Sequence, residues 1–446
     1  MLMRLIPTAF VALLALPLAS AGEAPWSRFR GPNGSGVSDA TTVPIQWTDA
    51  DYNWKVRLPG VGHSSPVVWE KRIFLTCGDP RTAQRLVVCL DTSDGRIVWQ
   101  RDYPSKTFRQ HGDNSYASAT PAADGAGVVV TWSTPENVLL FALDNDGREV
   151  WRRELGPFVG GHGSGTSPII FADLVVLANE QEDPEALPDM YGENPKLRAG
   201  KSFVIAVDRA TGKTRWQLDR RTSIAPYSTP CVRRCEDGTA ELVFAGTAHG
   251  ITAVDPATGR VRWEGGDFGR DRCVASPVVG PDLVIVGHGW GVRGTRYAAF
   301  RAGPRAKDDS WAPVYEVKKS VPLVPTPLVK DGRLYLWCDD GVVTCLNVTS
   351  GEEIWRERVG GAFYGSPVWV NGRLYCIARN GEVVVLAAGD KFKVLARVAL
   401  GEPSFATPAV AGGVMYLRTR SQLFSLGGKQ PRQSDLKEGM GVEFNR

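Results

Sequence analysis

Ala253-Val254-Asp255-Pro256-Ala257-Thr258-Gly259-Arg260-Val261-Arg262-Trp263 joins an apolar strand end, an acidic turn closed by glycine, and a short strand carrying tryptophan. The same pattern returns at 89–99 (CLDTSDGRIVW), 142–151 (ALDNDGREVW), 206–216 (AVDRATGKTRW) and 345–355 (CLNVTSGEEIW). A recurrence every 40–60 residues or so marks a stacked or radial repeat and takes precedence over any local reading.

Outward from that pattern, each unit opens on Ser or Thr before Pro and an apolar strand. The openings are Ser65-Pro66, Thr120-Pro121, Ser167-Pro168, Thr229-Pro230, Ser276-Pro277, Thr326-Pro327, Ser366-Pro367 and Thr407-Pro408. Proline's fixed φ suits the first position of a strand, where its missing N–H costs little. A second strand follows, as in 333–337 (RLYLW), then a tight turn such as Asp339-Asp340-Gly341, then the third strand. Asp-Gly and Asn-Gly turns between apolar runs are strong hairpin signals. The fourth strand carries Trp99, Trp151, Trp216, Trp263 or Trp355.

Four antiparallel strands repeated around an axis make a β-propeller blade, and the tryptophan is expected to fill the gap to the next blade. It buries a large area while its N–H needs one acceptor from the neighbouring turn. Loss of one such ring should cost about 3–5 kcal/mol.

Eight openings predict eight blades. The last runs out near Leu426 after three strands, and 53–58 (NWKVRL) is a fourth strand lacking its first three. The N-terminal strand, with Trp54, is thus expected to complete the C-terminal blade and close the ring, removing exposed edges. Length alone suggests about three domains, but a closed ring uses the chain as one.

Blade five places Tyr315 where tryptophan is expected, after a loop at 301–313, and blade seven (383–398) lacks both acidic turn and Trp. Blade three carries an insertion at 180–201 between its second and third strands.

Residues 1–21 read as a secretory leader: Arg4, an apolar run at 5–18, and Ala19-Ser20-Ala21 as cleavage site. The run is short for a membrane span. The expected layout is leader 1–21, N-terminal extension 22–50, propeller 51–428 and tail 429–446. The mature chain is expected to be periplasmic or extracellular, without a lipid anchor because no cysteine follows the cleavage site, and monomeric. The formal charge is only +4 over 446 residues and no basic stripe appears, so nucleic-acid binding has no support. Eight cysteines permit disulfides in an exported chain. Cys77 with Cys338, and Cys89 with Cys345, occupy matching repeat positions and read equally well as buried small hydrophobes. Cys231 and Cys235 lack a second pair at zinc spacing. No metal site is called.

The repeat resembles the tryptophan-docking unit of the pyrroloquinoline-quinone propeller superfamily over most of residues 50–428. One branch of that superfamily, the quinoprotein alcohol dehydrogenases, implies the quinone (PQQ) with Ca²⁺; another, including the outer-membrane assembly lipoprotein, implies partner binding without catalysis. The opening 26–34 (WSRFRGPNG) also resembles exported planctomycete-type propellers of unknown activity. The chain departs from the dehydrogenase branch in having no adjacent cysteine pair and no Glu/Asn/Asp set that aligns with Ca²⁺ ligands. It departs from the lipoprotein branch in lacking the lipid-bearing cysteine. No catalytic residue is assigned.

Residues three positions before each proline should ring one mouth of the central channel: His63, Ser118, Gly165, Tyr227, Val274, Val324, Tyr364 and Phe405, with His111, Asn114, Tyr116, His162 and Arg272 nearby. The candidate ligand-binding set is His63, His111, Tyr116, His162, Tyr227, Arg272, Tyr364 and Phe405. A concave mouth with polar groups among aromatics is a default binding site; the same residues also suit plain loop packing. The paired acids Asp339-Asp340, Asp308-Asp309 and Glu352-Glu353 read as solvated turns, and His249 and His288 as structural. The expected role is an exported, non-catalytic binding or scaffold propeller with a protein or glycan partner. A PQQ-dependent oxidoreductase and a carbohydrate-binding or -processing propeller are the alternatives.

Overall fold

A computed structural model describes residues 24–186, 200–222, 224–266, 271–291, 293–304 and 311–428. The leader, the C-terminal tail, Asp308-Asp309 and most of the blade-three insertion lie outside the described residues.

The strands form eight separate sheets arranged as eight blades. Blade six shows the plan: Leu328–Lys330, Arg333–Trp337, Val342–Asn347 and Glu353–Arg358, from the axis outward. Asp331 and Gly332, at φ 49° and 74°, make the two-residue turn joining the first pair; both central residues of such a turn need positive φ. Burial follows from position. The third strand Val342–Asn347 is buried up to its last residue, whereas in Glu353–Arg358 only Trp355 is buried. Neighbouring blades cover the middle strands, leaving the outer strand one residue to insert between blades.

Tyr52–Arg57 pairs antiparallel with Gln422–Gly427, so the first strand of the ring completes the last blade. The eight cysteines are all free thiols, and seven are buried; Cys231 begins an innermost strand and Cys235 follows it.

The tryptophans dock on the following blade by a common rule. The indole N–H donates to a turn carbonyl there: Trp54 to Thr92 (3.0 Å), Trp99 to Asn145 (2.8 Å), Trp151 to Arg209 (2.9 Å), Trp216 to Pro256 (2.7 Å) and Trp355 to Gly389 (2.9 Å). Tyr315 takes the same place in blade five, its hydroxyl donating to Val348 O at 2.9 Å. In four of the turns the ring lies on the turn glycine, whose φ is 68–75°; a Cβ on Gly95, Gly147, Gly212 or Gly259 would sit 2.6–2.7 Å from a ring atom. Trp263 departs from the rule. Its N–H donates to the Glu241 carboxylate of its own blade at 3.1 Å, and its ring stacks on Trp311 from the loop expected at 301–313.

Residues 24–38 are more than a leading strap. Trp26 O and Ser27 O accept from Val68 N and Ala123 N, at the far ends of the innermost strands of blades one and two. Arg28 then reaches Pro230 O in blade four (2.6 Å), Asn33 bonds both backbone groups of Val232, and Arg30 reaches Pro367 O in blade seven (3.4 Å). Val37–Ser38 pairs parallel with the inner strand of blade seven. The segment therefore crosses the channel from one side to the other and plugs its far end.

Candidate functional site

The plug turns a through-channel into a cup. Its cavity of about 460 Å³ is open at the end where the innermost strands start, and Phe29 of the plug forms part of its floor.

The wall is built by the eight Ser/Thr-Pro openings, all of which line the cavity. A residue before proline is held extended, which turns its N–H sideways, away from its own blade. In seven of the eight blades that N–H donates to the hydroxyl of the next opening: Ser65 to Thr120, Thr120 to Ser167, Thr229 to Ser276, Ser276 to Thr326, Thr326 to Ser366, Ser366 to Thr407 and Thr407 to Ser65, all at 2.9–3.1 Å. The step from Ser167 to Thr229 stays open. A hydroxyl has one proton and two lone pairs. Seven of the eight hydroxyls spend one lone pair on the ring, that of Thr229 being the exception, and none of the eight protons meets an acceptor among the described residues.

One level up, all eight positions three residues before proline line the cavity. On one side the His63 ring stacks on Phe405 (centroids 4.2 Å apart), and the Arg379 guanidinium lies over Tyr364 (4.4 Å) and Phe405 (5.2 Å). Asp113, from the linker between blades one and two, ties this wall together. It accepts from Tyr364 Oη at 3.1 Å and is ion-paired with Arg379. On the other side the His111 and His162 rings lie 4.7 Å apart, and Arg272 sits over Tyr227 at 5.5 Å. Arg272 donates to His162 Nδ1 and to Glu182 Oε1, both at 2.6 Å. Because guanidinium only donates, Nδ1 is the accepting nitrogen and the His162 proton is on Nε2.

Of the proposed binding residues, His63, His111, His162, Tyr227, Arg272, Tyr364 and Phe405 line the cup. Tyr116 does not. It turns back to exchange hydrogen bonds with the Phe108 backbone, and Arg85 lies over its ring. Asp339, read as a solvated turn acid, also departs from expectation. Its carboxylate folds under the preceding linker, accepts from Leu323 N (2.6 Å) and Val324 N (3.1 Å), and lines the cup. Asp340 fits the solvated reading, paired at the surface with Arg358. His249 and His288 are bonded to Glu264 and Asp271, away from the cavity. Phe29, Asp113, Asn114 and Trp290 also line it, with Ser164, Gly289, Gly291 and Leu323; Trp290, at a hairpin tip, stays 50% exposed.

The cup is close to electrically balanced. Arg272 and Arg379 each carry a carboxylate partner. Burial, helped by Arg418 and Arg420, pushes His63 down to about 3, and burial beside Arg272 and His111 pushes His162 down to about 4, so both imidazoles are neutral near pH 7. Burial raises Asp339 to about 6 against its two backbone donors.

This donor set does not suit the quinone and Ca²⁺ that the resemblance implies. Ca²⁺ takes six to eight oxygen ligands or so, usually with several carboxylates. Among the described residues no three His, Cys, Asp or Glu side chains come together to hold a metal. A quinone bearing three carboxylates would have to strip Glu182 from Arg272 in the lining, or Asp113 from Arg379 on the lining rings.

The family described as outer membrane protein assembly factor BamB matches residues 44–186, 83–324, 309–391 and 339–430, which together take in nearly the whole ring. The BamB of Yersinia pestis is 21% identical over 335 residues, 74% of this chain and 66% of that protein. The tetrathionate hydrolase of Acidithiobacillus ferrooxidans is 26% identical over 258 residues, 55% of this chain and 45% of that enzyme. The chain thus spans 45–66% of the length of these curated relatives. Among solved structures, the quinohemoprotein alcohol dehydrogenase of Comamonas testosteroni superposes with a TM-score of 0.64 at 14% identity, covering 93% of this chain and 82% of that one. The BamB of Moraxella catarrhalis gives 0.56 at 16%, covering 85% and 98%. Likeness at such identities carries the fold and leaves the chemistry open. With its repeats matched from blade one to blade eight, this chain belongs to the BamB-type family of pyrroloquinoline-quinone-like repeat propellers.

Proposed function

We propose that this chain is an exported, non-catalytic binding propeller, working in the periplasm or at the cell surface, whose ligand or partner group seats in the plugged cup. The observation that carries this reading is the plug itself: the chain's own N-terminal segment closes one end of the channel and leaves about 460 Å³ lined from every blade. Small-molecule sites occupy roughly 300–1,000 Å³ and combine apolar walls with a few placed polar groups. Among the described residues the outer rim offers no comparable surface. Its exposed apolar residues, Ile97, Val150, Val261, Ile354 and Val394 among them, stand in the outer strands of different blades. Apart from the adjacent Ile97 and Val98 they are scattered singly, and such residues need no partner. Among the described residues no helix is long and apolar enough to cross a membrane.

Gly165 supplies the test. It lines the cup, its backbone is ordinary, and a Cβ there would touch only Tyr227 at 3.7 Å. Gly165→Phe should fold normally and fill the cavity. Ligands that raise the melting temperature of the wild type, found with a small-molecule panel, should leave this variant unmoved. A panel in which wild type and Gly165→Phe respond alike would end the cup reading and return attention to the blade edges.

A further inference from the structure

Among the described residues, three features of the cup point to one ligand chemistry. The first is the hydroxyl ring: eight Ser/Thr residues line the cavity, their hydroxyl protons meet no acceptor among the described residues, and each hydroxyl keeps at least one lone pair open. Such groups both donate and accept over a short distance, which suits a ligand with the same dual character. The second is charge. Arg272 in the lining is neutralised by Glu182 at 2.6 Å, Arg379 on the lining rings of Tyr364 and Phe405 is paired with Asp113, and Asp339 is bound by two backbone N–H groups. A carboxylate or phosphate on the ligand would find no free cation, and burying it unpaired is costly. The third is Trp290, half-exposed at the rim between Gly289 and Gly291, beside a cavity also lined by Tyr364 and Phe405. Tryptophan offers a flat apolar face with one polar edge.

We infer that the cup binds a neutral pyranose sugar or short neutral glycan, with an apolar ring face on Trp290 and hydroxyls on the Ser/Thr ring. A pyranose matches the lining group for group: one face presents C–H bonds, its rim presents hydroxyls, and it carries no charge. This inference rests on the cup being the binding site and adds the class of ligand. No bond is made or broken.

The test is equilibrium titration of the full-length mature protein, followed by tryptophan fluorescence and calorimetry. The neutral probes are glucose, galactose, mannose, N-acetylglucosamine, cellobiose and maltose. The anionic probes are glucuronic acid and glucose 6-phosphate, with pyrroloquinoline quinone plus Ca²⁺ as the cofactor arm. The expected result is saturable binding of at least one neutral sugar, weakened tenfold or more by Trp290→Ala and abolished by Gly165→Phe. Glucuronic acid and glucose 6-phosphate should bind at least tenfold more weakly than glucose. Trp290 is exposed, so its replacement should leave the melting temperature within a degree or two, and that is checked first. If an anionic probe or the quinone binds the wild type but not Gly165→Phe, the sugar inference falls and the cup stands. If a neutral sugar binds equally well to wild type and Trp290→Ala, the platform role is wrong and the inference falls. If no probe binds, the sugar inference fails, and the wider panel described for Gly165→Phe decides the cup itself.

Discussion

Gly147→Ala tests whether docking of a tryptophan onto the next blade's turn glycine holds the ring together. Gly147 has φ 75°, and a Cβ there would lie 2.7 Å from Trp99 Cδ2 and 2.9 Å from Cε3. Two penalties follow. Holding alanine in the left-handed region costs about 1–2 kcal/mol. Forcing the indole aside from a packed position adds about 1–3 kcal/mol. Gly372 is the control, with φ 77° and nothing within 4 Å of its Cβ position, so Gly372→Ala should show only the first penalty. The difference, about 1–3 kcal/mol, belongs to ring overlap. Urea unfolding followed by near-ultraviolet circular dichroism gives both values. A third variant closes the argument: in a Trp99→Ala background, Gly147→Ala should fall back to the backbone penalty, because the atom it strikes has gone. The double-mutant cycle should therefore show coupling about equal to the overlap term. If Gly147→Ala costs no more than Gly372→Ala, the glycine is there for the turn alone and the docking account is wrong.

Tyr315→Phe keeps the ring in the blade-five gap but loses the bond to Val348 O, so it should destabilise by about 0.5–1.5 kcal/mol, against about 3–5 for Tyr315→Ala, both read by urea unfolding. His63 is pushed down to about 3 from an ordinary value near 6.5, so the unfolded chain binds the extra proton between those values; His63 stabilises fully above pH 6.5 and this contribution is lost as pH falls toward 3. Asp339, raised to about 6, works in the opposite sense between its ordinary 3.8 and 6. His63→Gln, which cannot titrate, should flatten the loss of stability between pH 6.5 and 4.5 in urea midpoints, and an unchanged slope would contradict the burial assigned to the ring. Gly31→Ala places a Cβ 2.4 Å from Trp26 at φ 66°, and should release the plug while leaving the ring's urea midpoint nearly unchanged. Trypsin should then cut after Arg28 and Arg30, which are buried in the native chain, as mass spectrometry of the released peptide would show.

The ring was legible because it obeys a rule contained in about a dozen consecutive residues. A strand end, a glycine turn and a tryptophan are neighbours in sequence, so their repetition exposes the blade, its count and its closure by residues 52–57. The same logic placed Tyr315 in the tryptophan gap of blade five. It missed the behaviour of Trp263, whose N–H finds Glu241 two strands back in its own blade. The cup was half legible. Counting three residues back from each proline found the mouth, since that offset is local. Tyr116 misled because its direction depends on Arg85 and Phe108, which no offset encodes. Asp339 hid inside an Asp-Asp-Gly turn, where its distinction from Asp340 lies in the linker that folds over it. The alternation of Ser and Thr before proline was visible in the chain, but its meaning was not, because six of the N–H groups find their hydroxyl 40–55 residues away and that of Thr407 finds Ser65 across 342.

The plug was the least legible part, and it has the largest effect on the reading of function. Its contacts join Arg28 to Pro230 and Arg30 to Pro367, separations at which no periodicity survives. Arg30 is fully buried, bonds only to backbone carbonyls among the described residues, and is pushed down by burial to about 9. A buried cation without a counter-charge is expensive to hold, so stability alone does not account for the segment's route. Its consequence is to turn a symmetric tube into a one-ended cup. Two of the ring's own asymmetries lie against that cup as well. The open rung falls between Ser167 and Thr229, beside Tyr227, whose hydroxyl is buried and has no hydrogen-bond partner among the described residues. The blade-three insertion begins at Glu180 and gives Glu182 to Arg272 in the cavity wall. A propeller used only as a rigid spacer gains nothing from breaking its symmetry at one place. Here these two breaks meet at the cavity, which is where a ligand would require them.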